Sequence, residues 1–292
     1  MSVFKGSAVA LITPFNGAEV DYTSLTRLIE LQIVSGTDAI VVCGTTGESA
    51  TLNTDEKLSV IQFVKEQVNH RVPVIAGTGG NSTEEVIQLS RSAEAIGVDA
   101  LLLVTPYYNK TSQRGLVSHF TEIADSVELP IILYNVPSRT GLNMLPDTVA
   151  EIQSRCKNVV GIKEASDNIE QIVTLAALCP DLDIYSGNDG YTLPVLSIGG
   201  KGVISTVANV LPDAMHTLCD AYFSGDIALA KEMQIQIVPI WKAAFCDVNP
   251  IPIKEMLSQM KLCSANVRLP LVQLTDDNKK RVIETLKAYE LI

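Results

Sequence analysis

Residues 36–49 read Gly-Thr-Asp-Ala-Ile-Val-Val-Cys-Gly-Thr-Thr-Gly-Glu-Ser. A glycine able to end a helix runs into an apolar run too short for a helix, which then opens onto a polar loop flanked by glycines. The first part recurs at 97–101 as Gly-Val-Asp-Ala-Leu. That offset matches about two βα units, so the chain reads as a weak internal repeat. Working outward, apolar runs rich in Val, Ile and Leu stand at 8–12, 39–43, 72–76, 100–104, 131–134, 159–162, 182–185 and 202–205. Runs of this kind are expected of parallel strands buried on both faces.

The stretches between them carry helical signals. Asp21 is placed to cap a helix with the stripe Leu25, Leu28, Ile29 and Ile33, and Thr54-Asp55-Glu56 opens another with acid near its N-terminus. Ser82-Thr83-Glu84-Glu85 fits a capping box, and Gly97 closes that helix. Further helices are expected near 112–127, 146–155, 168–178 and 189–198. Eight strands with helical crossovers predict an α/β fold, a (β/α)8 TIM barrel over residues 1–224, with a doubly wound open sheet as the alternative. Residues 225–292 show no further strand run and read as a C-terminal helical appendage, with helices at 226–246, 250–263 and 275–290.

Composition narrows the function. The 22 basic and 33 acidic residues give a net charge of −11, which disfavours nucleic acid or anionic lipid as the main partner. No apolar run is long enough for a membrane span, and the run at 8–12 falls short of a signal-peptide core. Six scattered cysteines without a CxxC pair read as reduced thiols of a cytoplasmic protein. His70, His119 and His216 lack metal-ligand spacing, so no metal is expected.

In a barrel of this kind chemistry sits where strands end. The runs end in Gly44-Thr45-Thr46-Gly47-Glu48-Ser49, Thr105-Pro106-Tyr107-Tyr108-Asn109, Tyr134-Asn135-Val136-Pro137-Ser138-Arg139-Thr140-Gly141, Lys163-Glu164-Ala165-Ser166 and Ser186-Gly187-Asn188-Asp189. Lys163 follows Gly161-Ile162, so its amine would emerge at an apolar mouth, where desolvation disfavours the ammonium and favours a nucleophile able to form a Schiff base. A lysine snorkelling to solvent or pairing with Glu164 is the plainer alternative. Tyr134 could shuttle protons there, or simply be a core tyrosine. Arg139 could clamp a carboxylate or make a surface ion pair. Thr45 and Thr46 offer two hydroxyls and close backbone amides to a small carboxylate or a proton relay, while Glu48 reads as a structural carboxylate bonding loop amides. The loop lacks a Gly-Lys-Ser/Thr ending, and Cys43 has no histidine beside it for activation.

Together Gly44-Thr45-Thr46-Gly47-Glu48, Pro106-Tyr107-Tyr108, the Tyr134–Gly141 segment and Gly161-Ile162-Lys163-Glu164 resemble the dihydrodipicolinate synthase family of pyruvate-dependent class I aldolases. The resemblance extends through Asn249-Pro250-Ile251-Pro252-Ile253-Lys254. It implies a lysine Schiff base between Lys163 and pyruvate, with Tyr134 handling protons. Thr46 and Tyr108 would complete a hydroxyl relay, Tyr108 reaching in from a neighbouring subunit. Thr45 and Thr46 would sit against pyruvate, Arg139 would bind the carboxylate of L-aspartate-4-semialdehyde, and the backbone at Ile204 would line the lysine pocket. Neither a metal nor an organic cofactor is implied; a cytoplasmic homotetramer, a dimer of dimers, is. The effector positions of lysine-inhibited relatives match at Ser49, Ala50, Asn81, Glu85 and Tyr107, but Thr54 and Lys57 replace two histidines of the usual pattern. An ammonium at Lys57 should oppose a cationic effector, so weak or absent lysine inhibition is expected. A sibling aldolase acting on N-acetylneuraminate or a keto-deoxy sugar, and an inactive keto-acid sensor, remain the competing readings.

Overall fold

A computed structural model describes residues 2–292. Eight parallel strands close a barrel: β1 (Gly6–Ala10), β2 (Ala39–Val42), β3 (Val74–Gly77), β4 (Ala100–Val104), β5 (Ile131–Asn135), β6 (Val159–Glu164), β7 (Asp183–Ser186) and β8 (Gly202–Ser205). Each strand pairs with its sequence neighbours, and β8 closes on β1 with Ala8 opposite Ile204. Crossover helices α1 (Tyr22–Val34), α2 (Thr54–Val68), α3 (Thr83–Ile96), α4 (Gln113–Ala124), α5 (Pro146–Arg155), α6 (Ile169–Leu178), α7 (Thr192–Ser197) and α8 (Pro212–Ser224) follow the strands in turn.

The period-two alternation of each strand separates two cores. On β5, Ile131 and Leu133 join the layer between sheet and helices, whereas Ile132 and Tyr134 point into the barrel. The interior is lined by small and branched residues such as Ala8, Ala39, Val41 and Ile75. Its lower end is plugged by Phe4 stacked on Tyr185, ring centroids 4.2 Å apart, with the Tyr185 hydroxyl donating to the Phe4 carbonyl at 2.8 Å.

Several local expectations needed correction. The first strand is Gly6–Ala10, because Leu11 and Ile12 run on past the sheet although they are buried. β6 runs to Glu164, so Lys163 lies within the strand and not after it. The capping box belongs to Asn53 and Glu56 at the head of α2; Ser82 only accepts from the Glu85 amide. A short hairpin, Phe15–Asn16 with Glu19–Val20, was unforeseen. The helix expected at 189–198 starts as a 3-10 turn, Asp189–Tyr191. The helix expected over 226–246 is two, α9 (Ile227–Gln236) and α10 (Val238–Ala244), broken where Pro239 supplies no amide donor.

Beyond these lie α11 (Ile251–Gln259) and α12 (Asp276–Ala288), with α9 packed on α8 and α12 on both α10 and α11. Arg268, in the irregular segment between α11 and α12, bonds the carbonyls of Ala18 and Thr51 and the Glu56 carboxylate. This strap fixes the C-terminal helices across the same barrel end as the loop after β2.

Candidate active site

The β5–β6 register sets Tyr134 opposite Lys163 and Asn135 opposite Glu164. Tyr134 points inward, and the Lys163 Nζ lies 4.4 Å from the centroid of its ring. Lys163 is 5% exposed. Two positions below it in the strand, a Cβ at Gly161 would meet the Asp183 carbonyl at 3.0 Å and the Tyr185 ring at 3.3 Å. Glycine there keeps the floor packed while the lysine rises above it. The pairing with Glu164 is not made. That carboxylate accepts from Asn135 Nδ2, the Ser166 amide and Gln171 Nε2, and burial pushes its carboxyl up from the usual range.

The loop after β2 turns on left-handed residues at both ends, Cys43 (φ 55°) and Glu48 (φ 53°). A Cβ at Gly77 would stand 2.4 Å from the Cys43 carbonyl, so the neighbouring strand end must be glycine for the turn to close. Thr13 Oγ1 donates to the Gly47 carbonyl at 2.8 Å. Glu48 is structural, but its partners are not the loop's own amides. It forms a fully buried ion pair with Lys254 of α11 and accepts from the Arg268 amide at 3.0 Å. The Cys43 thiol is pushed up to about 12 by burial, which removes it as a nucleophile at neutral pH.

Held this way, Thr46 is 2% exposed. Its Oγ1 accepts from Asn249 Nδ2 at 2.9 Å and stands 3.5 Å from Thr206 Oγ1. Arg139 sits on a single helical turn, Pro137–Thr140, and donates from Nη2 to the Asn249 carbonyl at 3.0 Å, so it makes no surface ion pair. Lys163, Tyr134, Thr45, Thr46, Arg139 and Thr206 surround a cavity of about 590 Å³ at the C-terminal ends of the strands. Lys242 and Arg281, from α10 and α12, also border it. Four basic side chains therefore concentrate positive charge on one opening of an acidic protein.

Two expected participants are not among the side chains that this chain itself brings to the cavity. Ile204 is buried in β8 within the inner core, and the pocket wall at that strand is formed by Thr206. Tyr108, at φ 68°, is 93% exposed and projects away from its own chain. Ser49, Ala50, Lys57 and Tyr107 line an adjoining cavity of about 280 Å³ that shares Thr45, Tyr134 and Arg139 with the first. Asn81 reaches that region by donating to the Tyr107 carbonyl, and Glu85 lies in the first turn of α3. Among the described residues no group of three or more His, Cys, Asp or Glu side chains is placed to hold a metal ion, and no helix is long and apolar enough to cross a membrane.

Sequence reasoning missed Thr206 and Asn249. The rule that strand ends carry the site, extended past strand seven, would have reached Thr206. Asn249 follows no strand, and its only signal was its place in the Asn249–Lys254 stretch that resembles the family, which assigned it no role. Asp189 was read as a strand-seven rim residue without a role. It is 1% exposed, accepts from Ser205 Oγ at 2.5 Å and from the Thr206 and Val207 amides, and so fixes the end of β8 beside the cavity.

Residues 3–289 match the model of the dihydrodipicolinate synthetase family. A 4-hydroxy-tetrahydrodipicolinate synthase of Geobacter sulfurreducens is 53% identical over 291 residues, covering 99% of this chain and all of the relative. One of Caldicellulosiruptor bescii is 52% identical over 290 residues, covering 99% of this chain and 98% of that one. The crystal structure of dihydrodipicolinate synthase from Aquifex aeolicus superposes with a TM-score of 0.97 at 44% identity, covering 99% of both chains.

Proposed function

The chain belongs to the dihydrodipicolinate synthetase family, and on that premise we propose that it condenses pyruvate with L-aspartate-4-semialdehyde through a Schiff base on Lys163. It is a 4-hydroxy-tetrahydrodipicolinate synthase by activity, a lyase of diaminopimelate and lysine biosynthesis. The observation that carries the site assignment is the buried Lys163 amine over the Tyr134 ring at the floor of a basic cavity.

The Lys163 Nζ adds to the keto carbon of pyruvate, and the carbinolamine loses water to give an iminium. Tyr134, with the Thr46 hydroxyl behind it, delivers the proton that leaves with that water. Loss of a methyl proton gives the enamine, whose carbon attacks the aldehyde while the aldehyde oxygen takes up a proton. The amine of the second substrate then adds to the imine carbon. That addition closes the ring; a proton then passes from the substrate nitrogen to Lys163 Nζ, and the C–N bond to Lys163 breaks, freeing the enzyme amine and leaving the cyclic product. Arg139, with its remaining guanidinium donors facing the cavity, binds the carboxylate of the semialdehyde. Thr45 and Thr46 hold pyruvate, and the β8 wall, Ile204 with Thr206 above it, shapes the lysine pocket. The reaction needs no cofactor beyond the lysine itself.

Tyr108 joins the relay of a neighbouring subunit in a homotetramer built from two dimers, which accounts for its projection into solvent from its own chain. Mixing a Lys163→Ala variant with a Tyr108→Phe variant tests this. Random reassortment should restore about a quarter of full activity, since half the dimers then hold one complete site. No restoration would place Tyr108 outside the site. At the adjoining cavity, Lys57 opposes a cationic effector, so added L-lysine should inhibit weakly or not at all; inhibition at sub-millimolar lysine would refute this.

The decisive experiment is borohydride reduction in the presence of pyruvate, followed by peptide mass spectrometry. A reduced adduct on Lys163 is expected, and its absence would remove every aldolase reading at once. Turnover of aspartate semialdehyde, and not of N-acetylneuraminate, then separates the synthase from sibling aldolases.

A further inference from the structure

The geometry points to Asn249 as a positioning residue that fixes the direction in which the Thr46 hydroxyl gives its proton and ties that hydroxyl to Arg139. The inference rests on the proposed reaction, in which Thr46 acts as a relay. Asn249 belongs to the segment just before α11, outside the barrel strands, yet it borders both cavities and is 6% exposed. Its amide Nδ2 donates to Thr46 Oγ1 at 2.9 Å, and its backbone carbonyl accepts from Arg139 Nη2 at 3.0 Å.

A hydroxyl has one proton to give and two lone pairs to receive with. An amide N–H occupying a lone pair forces the proton of Thr46 to point elsewhere. The hydroxyl's other neighbour is Thr206 Oγ1 at 3.5 Å, which stands in the cavity wall. Asn249 thereby makes Thr46 a donor toward the lysine pocket. The same residue spends one of the five Arg139 donors on its carbonyl, which holds the guanidinium at the cavity edge with the others free for a carboxylate. One side chain and its own backbone thus register the second-substrate clamp against the proton relay.

Asn249 Oδ1 is buried with no hydrogen-bond partner. An asparagine serving only to staple α11 to the barrel would be expected to spend both ends of its amide, because an unmet buried acceptor is destabilising. Here one end alone is used, and it is aimed at a relay hydroxyl.

The test is Asn249→Asp, nearly the same shape. An ionised carboxylate can only accept, so it would draw the Thr46 proton to itself and turn the hydroxyl away from the pocket. The kcat of N249D should fall by about 10- to 100-fold at neutral pH, in keeping with the loss of one relay member, with the KM for pyruvate little changed. Because a protonated carboxyl regains a donor, the ratio of variant to wild-type kcat should climb as pH is lowered. Asn249→Ala should be less damaged than N249D at neutral pH, whereas a purely structural asparagine would rank them the other way. In a Thr46→Val background either substitution should cost almost nothing further. A ratio flat in pH, the reverse ranking, or an undiminished cost beside Val overturns the inference. Should N249D fail to fold, N249A in the two backgrounds decides. Wild-type protein that makes no condensation product would instead defeat the functional reading itself.

Discussion

The two ends of one barrel are built on opposite terms. At the lower end Phe4 and Tyr185 stack, the Tyr185 hydroxyl meets the Phe4 carbonyl, and Asp38 accepts from the Ser7 amide and contacts His216. At the upper end Thr105 Oγ1, Ser166 Oγ and Asn249 Oδ1 are buried without partners, and Cys43, Glu48, Tyr108 and Asp167 take left-handed backbone conformations; the lower end has fewer such sites, the unpartnered Ser7 Oγ and the left-handed Asn69 and His70 between α2 and β3. Both ends hang on the same strands, so the difference cannot come from the sheet. It comes from the loops, which leave more unsatisfied and left-handed geometry where chemistry is done than where none is. The contrast predicts that upper-end substitutions cost rate while lower-end ones cost stability.

The sharpest way to break that contrast is Tyr134→Phe. Removing the hydroxyl should lower kcat by about 10²- to 10⁴-fold, the usual range for a lost general acid–base, with the thermal midpoint nearly unmoved. A large fall in midpoint with little change in rate would make Tyr134 a core residue.

Lys254→Met probes what holds the upper end in place. The Lys254–Glu48 pair is completely buried, Lys254 Nζ also donates to the Asn266 carbonyl, and burial draws the lysine below its usual range against the pull of Glu48. Removing one partner leaves Glu48 as an uncompensated buried charge, which should destabilise the fold by about 3–5 kcal/mol in urea melts. Replacing both residues by apolar ones of similar volume should recover much of that loss. This is one upper-end change expected to cost stability, because it lies behind the loop and not in the cavity.

The barrel was legible because its signals are local: eight short apolar runs, with helix-ending glycines and N-caps between several of them. Lys163, Tyr134, Thr45, Thr46 and Arg139 were legible for the same reason, each at or just after the end of a strand run in the sequence, and the structure brings them to one cavity. What was not legible depends on long-range placement. Asn249 meets Thr46 across 203 residues of chain, and Lys254 and Arg268 reach Glu48 from the far end of the sequence. No periodicity or spacing encodes such contacts, since they exist only once the C-terminal helices are laid across the rim. The hairpin at Phe15–Asn16 was invisible for a different reason: two-residue strands carry no pattern to read.

His119 on α4 lies in the helical layer, away from both ends, and sharpens the contrast by showing what orphaned polarity does without a cavity. Its Nδ1 bonds Thr83, its Nε2 is buried without a partner, and desolvation lowers it from 6.5 to about 4. Between those values the unfolded chain binds a proton that the folded chain refuses. Stability is therefore full above about pH 6.5 and falls as pH drops toward 4, by about 2–3 kcal/mol. Urea melts at pH 7 and pH 4.5 should show the loss, and His119→Gln should flatten it. A slope unchanged in that variant would assign the acid sensitivity to other groups.

The smallest effect is expected from Tyr185→Phe at the lower end, and it is the complement of Tyr134→Phe. Tyr185 is the residue opposite Lys163 on the next strand, so by register alone it has as strong a claim on the site as Tyr134. Its ring, however, lies beneath Gly161 and its hydroxyl is spent on the Phe4 carbonyl. The substitution keeps the stack and leaves that carbonyl unpaired, which should cost about 1–3 kcal/mol of stability and leave kcat within about twofold of wild type. Two tyrosines flanking the same lysine would then differ in consequence only because one hydroxyl faces the cavity and the other the plug. If Tyr185→Phe lowers the rate as Tyr134→Phe does, the plug is part of the active site, and the division between a chemical end and a structural end fails.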